Sequence, residues 1–206
     1  MPKRPAIVVV GCGRSGTKYI TKVFKRMGIH VGHEAGGPDG VASWYITPGL
    51  CAPKALFKKD IPFKRLKATY GEFTVIHQVR NPVNCISSAQ TFSSASWEYI
   101  AQFVDIDMTN PLIWRCLQYW ECWNAMAEEI AAHRFRVEDL EEHHKELFVA
   151  CNIQKWDSNI KFIFQNKEEN TRKRFYTKYS WEQLVEVDKD LAQKIKERAL
   201  RYGYNL

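Results

Sequence analysis

The stretch Val8-Val-Val-Gly-Cys-Gly-Arg-Ser-Gly-Thr-Lys-Tyr-Ile20 matches two phosphate-binding patterns and completes neither. Gly11-x-Gly13-x-x-Gly16 has the spacing of a dinucleotide fingerprint, in which glycines let the backbone approach a pyrophosphate. Gly11-x4-Gly16 also fits a nucleoside-triphosphate loop, but Thr17 stands where that loop needs lysine and Lys18 follows it. The apolar run Ala6–Val10 before the loop predicts a strand buried on both faces. Ile20, Val23, Phe24 and Met27 after it form one helical stripe over Thr17–Met27, closed by Gly28. A strand, a glycine turn and a helix together present free backbone N–H groups and a positive dipole end to an anion. The alternative is a tight turn with no ligand.

Further along, Ile29–Gly32 predicts a short strand, and Glu34 lies 18 residues beyond Gly16. That is close to where a dinucleotide site places its ribose-binding acid. Against that reading, Arg14 and Ser15 make the turn more polar and charged than a pyrophosphate requires. Against a magnesium-dependent kinase, the strand predicted over Phe73–Val79 ends in Gln78, Val79 and Arg80, a basic terminus without a metal-binding acid. Residues Ala35 to Tyr70 show little periodicity and read as a long excursion with one short helix, of the kind that is more often functional than idle.

The second informative stretch is His77-Gln-Val-Arg-Asn-Pro-Val-Asn-Cys-Ile-Ser-Ser-Ala-Gln-Thr-Phe92. Asn81-Pro82 supplies an N-cap and a first-turn proline for a helix to about Gln90. Arg80 stands at a strand's C-terminal end, where α/β sheets bind ligands. Ser88 follows eight residues later, about two helical turns on, so both side chains can address one phosphate. With the first loop this makes two phosphate sites on one sheet edge, the arrangement required by a nucleotide with a 5′ phosphosulfate and a 3′ phosphate.

On these residues the chain resembles the sulfotransferases that use 3′-phosphoadenosine 5′-phosphosulfate. Gly13-Arg14-Ser15-Gly16-Thr17 resembles their 5′-phosphosulfate loop, and Arg80 to Ser88 their 3′-phosphate motif. Phe135-Arg-Val-Glu-Asp-Leu140 resembles a strand-then-helix signature of the family. The tail from Thr171 to Tyr204 resembles the ends of bacterial and Golgi-type members. Arg14 replaces the lysine of many cytosolic members, as in tyrosylprotein-type relatives. Their glycine-rich third element is missing, and Arg172, Lys173 and Arg174 read either as its substitutes or as a solvated basic loop. Ala35–Tyr70 and Phe92–Asn110 match no part of the family pattern.

The resemblance implies an α/β fold with a mostly parallel central sheet flanked by helices, a P-loop-like three-layer sandwich, and one domain over residues 1–206. It implies in-line sulfuryl transfer to a hydroxyl or amine, with adenosine 3′,5′-bisphosphate as product and no metal. Such transfer relies on positioning and on fixed cations and N–H donors. The expected nucleotide ligands are Gly13, Arg14, Ser15, Gly16, Thr17, Lys18, Arg80, Ser88, Arg172 and Lys173, with N–H groups of Ser15, Gly16 and Thr17 on the 5′ phosphate. Arg14 is expected to neutralise charge on the sulfuryl oxygens. Glu34 is expected to be the base, as a glutamate at this stage of the chain is in related families, and His33 is its rival. A nucleotide-binding module without transfer activity and an NAD-type enzyme are the alternatives. The acceptor remains open among small molecules, carbohydrates, lipids and proteins.

Composition agrees with a globular chain. Of 206 residues 45% are hydrophobic and 13% aromatic, and no apolar run approaches a membrane span. The net charge of +7, from 30 basic and 23 acidic residues, fits an anionic ligand and equally a solvated basic surface. No zinc-finger or RNP-like signature points to nucleic acid. The six cysteines lack a C-x-x-C pair and read as packed thiols, with a cytoplasmic setting as the expectation.

Other elements follow from pattern. A long helix is predicted over Pro111–His133, whose aromatic residues Trp114, Tyr119, Trp120 and Trp123 have the spacing of core packing, with an acceptor-pocket lining as the alternative. Phe135–Val137 predicts a strand, and Asp139-x-x-Glu142 a capping-box start to the next helix. Ser180-x-x-Gln183 opens a final helix carrying Leu184, Leu191, Ile195 and Ala199, with Gly203 as its stop. His77, inside a strand, reads as a packed core histidine.

Overall fold

In the computed structural model, which describes residues 5–51, 62–154, 163–164 and 175–206, strand β1 (Ala6–Val10) is buried along its whole length. Ile7 and Val9 face one layer of helices, and Val8 and Val10 face the other. An apolar run buried on both faces is what a central parallel strand requires. Burying each such side chain contributes about 1.5–3 kcal/mol.

β1 is followed by α1 (Thr17–Arg26), β2 (Val31–His33), β3 (Gly40–Ala42), α2 (Thr47–Cys51) and α3 (Pro62–Tyr70). Then come β4 (Phe73–Val79), α4 (Pro82–Ala89), α5 (Ser94–Ile100), α6 (Leu112–Ile130), β5 (His133–Arg136) and α7 (His144–Ala150). α8 (Trp181–Val187) and α9 (Lys189–Arg201) close the chain. The sheet has five strands in the order β2-β3-β1-β4-β5, all pairs parallel. α1 and α7 cover one face through Ile20, Val23, Phe24, Leu147 and Phe148. Residues of α4, α6 and α9, including Ile86, Leu117, Trp120, Trp123 and Ile195, build the core on the other face. This is the expected three-layer α/β fold. The sheet order has a consequence for Glu34. In a dinucleotide-binding sheet the second strand lies beside the first, but here β3 separates them.

Several predicted elements differ in detail. The excursion from Ala35 to Tyr70 contains a strand and two helices among its described residues. β3 was hidden because it is only three residues long and begins with a glycine. That glycine is required: at Gly40, with φ +137°, an added Cβ would lie 1.9 Å from the Ile7 carbonyl oxygen. β2 begins two residues later than predicted, and β5 takes in His133 and Arg134 because they extend its ladder with β4. α6 ends at Ile130, before the predicted His133.

Asp139 does not cap a helix. Its carboxylate is paired with the Arg136 guanidinium, and α7 starts only at His144. The Ser180–Gln183 capping box forms with both reciprocal bonds. The predicted final helix is broken at Asp188, which leaves helical geometry (φ −162°) and caps α9 by accepting the Leu191 N–H at 2.9 Å. His77 is fully buried, and burial lowers its pKa to about 3. Its Nδ1 accepts from Arg134 Nε at 3.3 Å, leaving Nε2 to donate to Asn124 Oδ1 at 2.9 Å. Among the described residues no helix is long and apolar enough to cross a membrane, and no three His, Cys, Asp or Glu side chains are grouped to hold a metal.

Candidate functional site

A cleft of about 630 Å³ opens at the C-terminal ends of β1, β2 and β4. Gly13, Arg14, Gly16, Thr17, Lys18, His33, Glu34, Arg80 and Ser88 all line it. These residues come from three separated parts of the chain, and the parallel sheet brings them to one edge. Arg172 and Lys173, with Arg174, lie outside the described residues.

At one end of the cleft, α1 begins without a side-chain cap. Gly16 holds the cap position at φ +93°, and the first turn carries no acid. The N–H groups of Gly16, Thr17 and Lys18 bond to no described residue. Lys25 and Arg26 sit in the last turn, where cations match the negative end of the dipole. The polarity of the helix is thus left open for an anion at its start. Ser15 differs from expectation. Its N–H is engaged by the Cys12 carbonyl at 3.2 Å, and it does not line the cleft. Its hydroxyl is buried with no partner among the described residues. The Gly13 N–H is likewise engaged, by the Tyr119 hydroxyl at 2.6 Å. Gln78 Nε2 donates to the Ser15 carbonyl at 2.5 Å, so the loop is braced from β4 and from α6.

Arg14 adopts φ +74°, uncommon for a side chain bearing a Cβ and a local strain that the bracing maintains. Its guanidinium donates to the Thr91 carbonyl at 3.1 Å and lies 5.0 Å from the Phe92 ring centre. Arg80 Nη1 donates to the Arg14 carbonyl at 2.9 Å, which ties the second motif to the first loop. Ser88, on α4, faces the same cleft. The start of α4 is closed where that of α1 is open: the Asn81 side chain accepts the Asn84 N–H, and Glu138 accepts the Asn81 N–H at 2.8 Å. An anion at this second position would be met by side chains alone.

Across the cleft, Glu34 follows β2 with φ +59°. Ser43 donates to Glu34 Oε2 at 2.6 Å, and the Trp44 N–H also bonds the carboxylate. Burial raises the Glu34 pKa, and these two hydrogen bonds oppose the rise. His33 Nε2 lies 3.2 Å from Thr17 Oγ1 and 3.8 Å from Glu34 Oε1. Both side chains are about 30% exposed (31% and 28%), accessible to a ligand without being solvent-flooded. A hydroxyl, an imidazole and a carboxylate of reduced acidity thus stand beside an open helix start. That set can take a proton from a bound hydroxyl group while cations hold negative charge nearby.

Sequence reasoning did not find Tyr119, Gln78 or Ser43. Tyr119 and Gln78 act from 106 and 63 residues away in the chain, so no local signal marks them. Ser43 is visible only once β3 is recognised, because it follows that strand's end. Trp120 and Trp123 are buried in the core, and Trp114 donates to Asp188 at 2.9 Å.

No family model matches the sequence, and no curated protein sequence matches it. Among solved structures, the chain is similar to a sulfotransferase domain from the curacin biosynthetic pathway, with a TM-score of 0.52 over 100% of both chains at 11% identity. That likeness is one of fold, and it extends over the full length of the two chains.

Proposed function

We propose that this chain is a sulfotransferase that moves a sulfuryl group from 3′-phosphoadenosine 5′-phosphosulfate to an acceptor hydroxyl or amine. The observation that carries this reading is one cleft joining an open helix start, a second cationic position at Arg80 and Ser88, and the His33–Glu34 pair. The residues present suit such a nucleotide. Gly16, Thr17 and Lys18 have N–H groups without described partners at the open helix start, and Arg80 and Ser88 share the same cleft. When bound, the nucleotide supplies an activated sulfuryl group.

The chain's own residues do the rest. The N–H groups at the start of α1 hold the 5′ phosphate, with Lys18 at the rim adding charge. Arg14 carries a fixed cation beside the loop. Arg80 and Ser88 grip the 3′ phosphate. Glu34 accepts the proton of the acceptor hydroxyl at Oε1, while Ser43 and the Trp44 N–H hold its other interactions. His33, bonded to Thr17, orients this edge of the cleft.

Thermal unfolding with added nucleotides tests the reading. At a hundredfold excess over Kd, adenosine 3′,5′-bisphosphate is expected to raise Tm by about 5–10 °C. NAD, or ATP with magnesium, is expected to do much less. Greater stabilisation by NAD would make Glu34 a ribose ligand. Stabilisation by the bisphosphate without transfer of labelled sulfuryl to any acceptor would make the chain a binding module.

A further inference from the structure

The cleft has an aromatic end. Trp44 and Tyr45, just past β3, meet Phe92 and Tyr99 from the stretch around α5. Trp44 stacks on Phe92 with ring centres 5.3 Å apart and planes 25° apart, and Tyr45 meets the edge of Tyr99 at 4.9 Å. The Tyr99 hydroxyl donates to the Tyr45 carbonyl at 2.5 Å, which locks the two segments together. Trp44 is only 6% exposed, whereas Tyr45 is 39% exposed and forms the accessible ring of this wall. Glu34 is its immediate neighbour, because the Ser43 hydroxyl that holds Glu34 also accepts the Tyr45 N–H at 3.2 Å.

Charge and hydrogen-bonding capacity narrow what this wall can accept. The arginines and lysine that line the cleft are Arg14, Lys18 and Arg80, all in the two phosphate motifs. Asn84, Thr91 and Glu138 line the cleft beside the Arg80–Ser88 motif, whereas the end that holds Glu34 presents His33, Ser96 and aromatic rings. An acceptor with sulfate, phosphate or carboxylate groups beside its reacting hydroxyl would bring like charge to Glu34. A sugar ring would bring several hydroxyls, each of which loses stabilisation when desolvated without a partner. A flat aromatic ring suits the exposed Tyr45 face, since offset and edge-on ring pairs are favourable beyond their buried area. Proton transfer points the same way. A phenol, with a pKa of about 10, is far easier for a carboxylate to deprotonate than an aliphatic alcohol.

We infer that the acceptor is a neutral phenol whose ring lies on the Tyr45–Trp44–Phe92 wall and whose hydroxyl meets Glu34. The inference rests on the sulfuryl-transfer reading. The phenol O–H proton passes to Glu34 Oε1, and the phenol oxygen forms the new bond to sulfur. The bond between sulfur and the 5′-phosphate oxygen breaks, with its electron pair leaving on that phosphate.

Calorimetry on the protein saturated with adenosine 3′,5′-bisphosphate tests it, using 2-naphthol, N-acetylglucosamine, a sulfated disaccharide and a tyrosine-containing hexapeptide. 2-Naphthol is expected to bind and neither sugar to do so. Tyr45→Ala is expected to weaken naphthol binding about three- to tenfold, Tyr45→Phe to preserve it, and bisphosphate affinity to hold in both variants. Tighter binding of the hexapeptide than of naphthol keeps the phenol and identifies its source as a protein tyrosine. Tighter binding of either sugar, no naphthol binding, or an unchanged naphthol affinity in Tyr45→Ala overturns the inference while leaving the nucleotide reading intact. Failure of the bisphosphate itself to bind removes the nucleotide reading, and the phenol inference with it.

Discussion

The two ends of the cleft are built in different ways. The loop end consists of two short local segments, Gly11–Lys18 and Arg80–Ser88, each running from a strand end into a helix. Its working groups are largely backbone N–H groups and arginines, held by Gln78, Tyr119 and Arg80. The aromatic end is assembled from residues 33–45 and 92–99, joined to each other by ring contacts and by the Tyr99–Tyr45 bond. Backbone donors offer one chemistry, whatever the side chains around them. A wall of side chains can be recut ring by ring without disturbing the sheet. On the proposed function, one end is constrained to a single nucleotide and the other is free to specialise.

Three substitutions test that division, beginning with the largest effect. Glu34→Gln preserves shape and much of the hydrogen bonding but removes basicity. Turnover is expected to fall about 10²–10⁴-fold, with bisphosphate affinity nearly unchanged. If its main effect were on nucleotide affinity, Glu34 would belong to the other end of the cleft. If turnover survived in this variant and vanished in His33→Ala, the base would be His33.

Next, Arg80→Ala removes a charge-assisted contact worth about 1.5–3 kcal/mol, a loss of roughly ten- to a hundredfold in affinity for the bisphosphate. Affinity for adenosine 5′-phosphate, which lacks the 3′ group, is the control, because Arg80 also supports the Arg14 carbonyl. Equal losses for the two ligands would reduce Arg80 to a brace for the loop.

The smallest effect belongs to Ser43→Ala. The Ser43 hydrogen bond favours the ionised Glu34 carboxylate and opposes the rise caused by burial. Its loss raises the Glu34 pKa further. A general base works only when deprotonated, so the rate falls as pH drops through this pKa, and the acid limb of the pH–rate profile is expected to move to higher pH. The plateau above the limb should stay within a few-fold of the original. An unmoved limb with a lowered plateau would mean that Ser43 matters only for packing.

What could be read from the sequence follows the range of the interactions involved. β1, α1, β4 and the start of α4 were legible because apolar runs, glycine turns and the Asn81 cap are written within a few neighbouring residues. The same holds for the Ser180–Gln183 box. β3 was not legible, since three residues carry no periodicity and its strand geometry comes from pairing with β1 and β2 on either side. Asp139 carried the local signature of a cap, but a nearby guanidinium won its carboxylate. Arg14, Thr17 and Arg80 could be proposed from local motifs, and Glu34 from its place in the chain together with the family resemblance. Ser43, Gln78 and Tyr119, which hold their surroundings in place, could not, because only the folded sheet brings them there.

Helix α6 gives the cleft a mechanical property. On adjacent turns it reaches both ends: the Tyr119 hydroxyl accepts the Gly13 N–H, and Trp123 Nε1 donates to the Trp44 carbonyl at 3.1 Å. The phosphate loop and the aromatic wall are therefore yoked to one rigid rod. A ligand that displaces this rod from one end changes affinity at the other, and thermodynamic reciprocity makes the factor the same in both directions. On the proposed function, donor and acceptor sites are then linked through a single 19-residue helix, with no call for a hinge or moving lid.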